Sequence, residues 1–378
     1  MKAPLPPKVS PNAIKCDRFS LYGWWLMITL TASVHLHAQT ITWNNNGAST
    51  AWYTAASWNP STASGAWTTS NVAQFQNTGS ATTAGINMNT SALSIGAIEV
   101  SSARTRVLTI GNSSGTTGNL TLNGATLNSV NNVVLRNASS FALTLQNNET
   151  GSGKTMGVVL ANSTDNRILL DGSGNIAISS VISGTGRPLS VSGSGSGQLV
   201  LSTGNTYTGK TTLLTGGTVS ASGESAFGAN PGAFVADQII FNGGALSASG
   251  NINFSSNRGI TLQAGGGTFN SNGNTITLTN IVTGAGSMTK TGAGTLSLPS
   301  AHTHSGDTIL TANAGILSLG SVNALQNTTL DTGATGTQSV TFDVAGTNTY
   351  NVGGLKGTDA LDIGGNTLSV GANNQSAV

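Results

Sequence analysis

The amino-acid sequence predicts an all-β fold, a solenoid of short stacked strands preceded by a signal segment. Three observations carry that expectation. Runs such as "LTL" at 120, "FALTL" at 141, "ITL" at 260, "TITL" at 275, "TLSL" at 295 and "VTFDV" at 340 alternate apolar with small polar residues, the period of a half-buried strand. Clusters of Gly, Asn and Ser punctuate these runs, and only 7% of the 378 residues are charged. The chain also matches itself between 182–222 and 282–320, and such internal periodicity marks a repeat architecture.

Residues 1–38 read as the signal. Lys2, Lys8, Lys15 and Arg18 precede the apolar run "FSLYGWWLMITL", and a more polar stretch ends in "HLHA", which places cleavage after Ala38. The run falls short of the roughly 20 residues that a membrane span requires, so an uncleaved anchor is only the alternative. Four of the 14 basic and one of the 12 acidic residues lie in this segment, leaving residues 39–378 with a formal charge near −1. Their basic residues are scattered singly from Arg104 to Lys356, which leaves no electrostatic footprint for nucleic acid. Cys16, the only cysteine, sits in the signal ahead of the apolar run. That excludes an intramolecular disulfide, a thiolate metal site and a lipid-attachment cysteine at the cleavage point.

Residues 39–95 contain Trp43, Trp52, Trp58 and Trp67. Such a cluster is expected to cap the solenoid, with a sugar-stacking platform as the alternative.

Within 96–378 the two copies align residue by residue. Gly184 and Gly186 match Gly284 and Gly286. After a short length difference, Gly197, Leu199, Leu201, Gly209 and Thr211 match Gly294, Leu296, Leu298, Gly306 and Thr308. The first copy contains "GNTYTGKT" at 204–211, which fits the G-x-x-x-x-G-K-[ST] phosphate-binding pattern. That pattern cradles phosphates where a strand leads through the glycine loop into a helix N-terminus. Here "TLLTGGTVSAS" follows, with paired glycines and β-branched residues, and reads as strand. The second copy places Ala301, His304 and Asp307 where the first has Gly204, Tyr207 and Lys210. A phosphate loop does not survive those exchanges. A structural turn does, provided Gly209 and Gly306 keep a permissive backbone. Another "GKT", around Lys154, has Asn148 where the first loop glycine should stand.

The stretches "GQLVLSTGNTYTGKTTLLTGGTVS" and "GAGSMTKTGAGTLSLPSAHTHSGDT" resemble the autotransporter-associated β-strand repeat, also called the passenger-associated transport repeat, of large exported bacterial surface proteins. The resemblance implies a right-handed parallel β-helix, and the alternating runs agree with it. It also implies an outer-membrane translocation machinery as partner, repeats that assist export, and a secreted or cell-surface location. At roughly 20 to 30 residues per coil, a dozen or more coils would form a rod, each coil adding about 4.8 Å. Because "GGNTLSVGANN" in this family leads into further repeats, the chain is expected to continue beyond Val378.

Chemistry is scarce. A polysaccharide lyase or glycoside hydrolase, the enzymatic alternative, needs paired carboxylates or a carboxylate-bound cation. Asp165 and Asp171 with Arg167, and Asp359 with Asp362, are the only tight groupings, and each reads as a solvated turn. His302 and His304 face one side of an extended strand with Asp307 nearby, an arrangement compatible with a metal. Their match to Asn205 and Tyr207 reads instead as turn residues. No catalytic, metal or cofactor set emerges, and the expectation is a non-catalytic stalk or adhesin whose Ser/Thr/Asn faces meet a carbohydrate or a host surface.

Overall fold

The structure, a computed structural model, describes residues 39–43, 52, 57–59, 67–76, 85–88, 92–111, 117–146, 155–201, 204–333 and 335–371. The expected signal with Cys16 and its cleavage point at Ala38, the "GKT" at Lys154 and residues 372–378 lie outside that set.

Alternation decides the strands. In Leu199–Leu201 the two leucines are buried and Val200 is half-buried. A three-residue strand cannot satisfy its own backbone, so its amides and carbonyls bond to the rungs on either side. Leu199 is in parallel register with Ile176 on one side and Val219 on the other. The rung beginning at Arg258 shows the path of the chain. Arg258–Leu262 joins the first sheet, Gly267–Asn270 the second, and Thr275–Leu278 the third position. Among the described residues the first sheet has 12 strands and the second 13, while the third position is divided between a 4-stranded and a 5-stranded sheet. The result is an all-β parallel solenoid of about 11 turns. No α-helix occurs among the described residues, and a single turn of 3-10 helix spans Glu224–Phe227.

The turn count falls just under the dozen or more expected, and some residues lie outside the stack. Ala125–Leu127 folds back antiparallel onto Val130–Asn137. That hairpin covers a small apolar patch of Val72, Ala97 and Leu169 on the first sheet.

Inward side chains form columns. Along the second sheet, Leu143, Ile176, Leu199, Val219, Leu246, Phe269, Lys290 and Leu310 hold successive inward positions, all buried. Each fully buried aliphatic residue there stabilises the stack by about 1.5–3 kcal/mol. Lys290 is the exception to the column's chemistry.

At the N-terminal end, Thr40–Trp43 has a parallel neighbour, Val72–Phe75, on one side and the antiparallel Trp58–Asn59 on the other. Trp43 meets Trp58 edge to face at 4.7 Å, and Trp58 meets Trp67 in the same way at 4.7 Å. Trp52 packs between Trp67 and Phe75, and its carbonyl accepts the Trp58 indole N–H at 2.7 Å. Trp52 is 0% exposed and Trp58 2%. Sugar stacking needs an open ring face, so the buried Trp43, Trp52 and Trp58 do not supply that platform.

The two sequence repeats do not occupy the same faces. Leu199–Leu201 and Thr211–Leu214 of the first copy lie on the second and first sheets. Their counterparts, Thr295–Leu298 and Thr308–Leu310, lie on the third and second. One motif is therefore displayed twice, rotated by one face around the solenoid.

Candidate functional site

Both copies turn inward through the same construction. In the first, Thr206 and Thr208 donate backbone N–H bonds to the carbonyls of Ile182 and Gly184 one rung away, while Asn205 and Tyr207 point into the core. Asn205 Oδ1 accepts the Ile182 N–H at 2.8 Å, and its amide donates to the Ala226 carbonyl at 2.7 Å. The Tyr207 hydroxyl, fully buried, meets Thr211 Oγ1 at 2.7 Å, and burial pushes its pKa up to about 12.

The second copy keeps the geometry with different residues. Thr303 and Ser305 donate to Val282 and Gly284. His302 Nδ1 accepts the Val282 N–H at 3.2 Å, as Asn205 does for Ile182. His304 Nε2 meets Thr308 Oγ1 at 2.9 Å, as Tyr207 does for Thr211. Thr308 Oγ1 lies 3.2 Å from that of Thr328, whose hydroxyl also reaches the Gly306 carbonyl.

This geometry bears on metal binding at His302. A ring nitrogen that accepts a backbone N–H carries no proton, so the neutral His302 ring has its proton on Nε2. Only an unprotonated nitrogen binds a metal, and that nitrogen is already engaged. Asp307 does not join them; it pairs with Lys356 at 2.6 Å in solvent. Among the described residues no group of three or more His, Cys, Asp or Glu could hold a metal ion.

Leu199, Leu201, Leu296 and Leu298 are buried core positions, and Thr211 and Thr308 are buried hydroxyls of the turns. Gly184, Gly186, Gly284 and Gly294 have positive φ, whereas Gly197 and Gly286 do not. Gly209 and Gly306 differ from expectation. Neither adopts a left-handed backbone; instead a Cβ at Gly209 would lie 2.2 Å from the Arg187 carbonyl, and one at Gly306 would lie 2.4 Å from that of Gly286. Close approach of adjacent rungs, rather than φ, demands glycine there.

The phosphate-loop match has none of the surrounding architecture. The chain leaves 204–209 into the strand Thr211–Leu214, and Lys210 pairs with Asp237 at 2.5 Å.

The carboxylates regroup. Asp165 stays with Arg167 at 3.1 Å and accepts the Ser190 hydroxyl at 2.8 Å. Asp171 leaves that group to accept from Arg136 Nε at 2.8 Å, while the other end of the guanidinium holds Glu99. Gln74 donates to Glu99 at 2.7 Å, so a polar ladder crosses consecutive rungs of the first sheet. With the guanidinium between them, both carboxylates are committed to one cation, which suits a clamp better than acid–base chemistry. Asp359 and Asp362 separate as well. Asp359 lines a cleft of about 250 Å³ with Lys356, and Asp362 lines another of about 420 Å³ with Asp343.

Sequence reasoning missed Lys290 and the Glu99–Arg136–Asp171 clamp. Lys290 had a signal: in "MTKT" it shares the parity of the inward Met288. Its ammonium is satisfied by Ser271 Oγ at 2.7 Å and the carbonyls of Thr291, Gly292 and Ala314, while burial lowers its pKa to about 8. The clamp had none, because its members stand 37 and 35 residues apart in sequence.

Residues 194–221 and 288–319 match the family described as Passenger-associated-transport-repeat. Both matched segments contain the inward turn and the strand that follows it. A stretch of 137 residues is 32% identical to the adhesin BmaC autotransporter of Brucella suis biovar 1 (strain 1330). It covers 36% of this chain and 4% of that protein, so the chain spans a small part of the relative it matches. No solved structure matches the chain. The chain carries two passenger-associated transport repeats on a parallel β-solenoid.

Proposed function

We propose that this chain is a passenger-like segment of an exported bacterial surface protein, working as a β-helical stalk or adhesin without catalysis. One observation carries the reading. Two repeats of the transport-repeat family build the same inward clasp on different faces of a continuous solenoid, while Glu99, Asp165, Asp171, Glu224, Asp237 and Asp331 outside them are drawn into ion pairs. A stack whose backbone bonds run from rung to rung is stiff without disulfides. Outward Ser, Thr and Asn positions then offer many weak hydrogen bonds to a carbohydrate or a host surface. Residues 1–38 act as the export signal, cleaved near Ala38. The N-terminal Trp cluster closes the first rungs, and the repeats assist passage through an outer-membrane translocator. The similarity to an autotransporter adhesin supports the location and the class of partner.

The test is display. Epitope-tagged residues 1–378, fused to a translocator barrel in a Gram-negative host, should become accessible to antibody and external protease on intact cells. They should also raise adherence to glycan-coated or host-cell surfaces. Retention inside the cell, or display with adherence no greater than that of the barrel alone, would overturn the export or the adhesin half of the proposal respectively.

A further inference from the structure

The two clasps are built alike but differ in one chemical respect. Asn205 and Tyr207 stay neutral across the physiological range, whereas His302 and His304 can accept protons. Both imidazoles are 1% exposed, with ring centroids 6.4 Å apart. His302 Nδ1 is the acceptor for the Val282 N–H. Protonating it turns an acceptor into a donor facing a donor, and puts a charge where no carboxylate stands.

The surroundings offer no relief. The rung below contributes Val282 and Thr283, the following strand Thr308, and the strand Leu325–Asp331 contributes Thr328 behind it. None of these titrates. The titratable neighbour acting on His302 is His304, which once protonated would oppose a second proton. Asp307, three residues on, is turned to solvent and held by Lys356. His302 Nε2 and His304 Nδ1 are buried and find no hydrogen-bond partner that could share a new charge. Burial lowers the His302 pKa to about 3, with His304 adding to the effect, and burial lowers that of His304 to about 4.

We propose that the 302–308 rung is an acid-sensitive release point of the solenoid, which opens as the medium acidifies while the 205–211 rung stays closed. The sign follows from linkage. An unfolded imidazole takes its proton near pH 6.5, and the folded one does so only well below that. In that window the open state binds more protons, so the closed rung is fully stable above about pH 6.5 and loses stability as pH falls toward 4. Each imidazole can contribute up to about tenfold per pH unit to the opening equilibrium.

Hydrogen exchange by mass spectrometry on the whole chain tests this, after correction for intrinsic rates. Between pH 7 and pH 5, peptides covering 300–310 should lose about tenfold or more in protection. Peptides covering 204–212 should change little. Transplanting the histidines with N205H/Y207H should move the sensitivity to the first rung. H302N/H304Y, which installs the residues the other rung already uses in this geometry, should abolish it at the second. Equal pH dependence of the two rungs in the unaltered chain, which needs no variant to fold, would overturn the proposal. So would an undiminished response in H302N/H304Y.

Discussion

Tyr207 Oη lies 2.7 Å from Thr211 Oγ1 inside the solenoid, closing a turn through two side chains four residues apart. His304 and Thr308 make the equivalent contact at 2.9 Å one face further round. The motif thus specifies an inward polar clasp, closed by tyrosine in one copy and by histidine in the other.

A double-mutant cycle measures that clasp. Y207F and T211V should each lower stability by about 1–2 kcal/mol, since each leaves a buried hydroxyl without its partner. The double variant should lose clearly less than the sum. Urea midpoints followed by circular dichroism would show it, and strict additivity would mean that the contact contributes nothing of its own.

Gly209 and Gly306 should resist even alanine. A Cβ would press on the backbone of the neighbouring rung, at 2.2 Å and 2.4 Å respectively. G209A and G306A are expected to cost roughly 2–4 kcal/mol each. G186A, where nothing lies within 4 Å and φ is 66°, should cost only about 1–2 kcal/mol. Thermal unfolding of the three variants gives the ranking, and a G186A loss as large as that of G209A would contradict the close-approach argument.

Lys290 plugs a cage of oxygens. K290M keeps much of the volume but removes the ammonium donor from Ser271 Oγ and the carbonyls of Thr291, Gly292 and Ala314, so a loss of about 2–3 kcal/mol is expected. Because the deleted group is a cation, an alkylammonium ion added to K290A should restore part of the melting temperature. An equally apolar neutral additive should not. Equal rescue by both would show that lost volume, not lost hydrogen bonds, is the cause.

Lys210 should be dispensable. Its pair with Asp237 is about half exposed on both sides, and such pairs contribute about 0–1 kcal/mol. K210A should shift the melting temperature little, and titration calorimetry with magnesium ATP should be flat for both forms. Heat that appears with the unaltered chain and vanishes in K210A would revive the phosphate-loop reading.

Local chemistry by itself determined much of this protein. Alternation with a period of two marked which residues of Leu199–Leu201 and Thr295–Leu298 face inward, because a strand allows no other arrangement. Self-comparison identified the repeat, and the exchange of Lys210 for Asp307 argued for a turn rather than a phosphate loop. Even Lys290 was legible in its parity. What the tertiary structure alone decided was position around the solenoid and across it. A parallel stack bonds each residue to a partner one rung away, and hairpins and loops of unequal length set how far along the chain that rung lies. Hence Asp171 left its sequence neighbour Arg167 for Arg136, which also holds Glu99. For the same reason the second repeat came to rest one face away from the first. Histidine in its clasp meets a donor and an apolar core rather than water, and that surrounding, not the imidazole itself, makes the rung sensitive to acid.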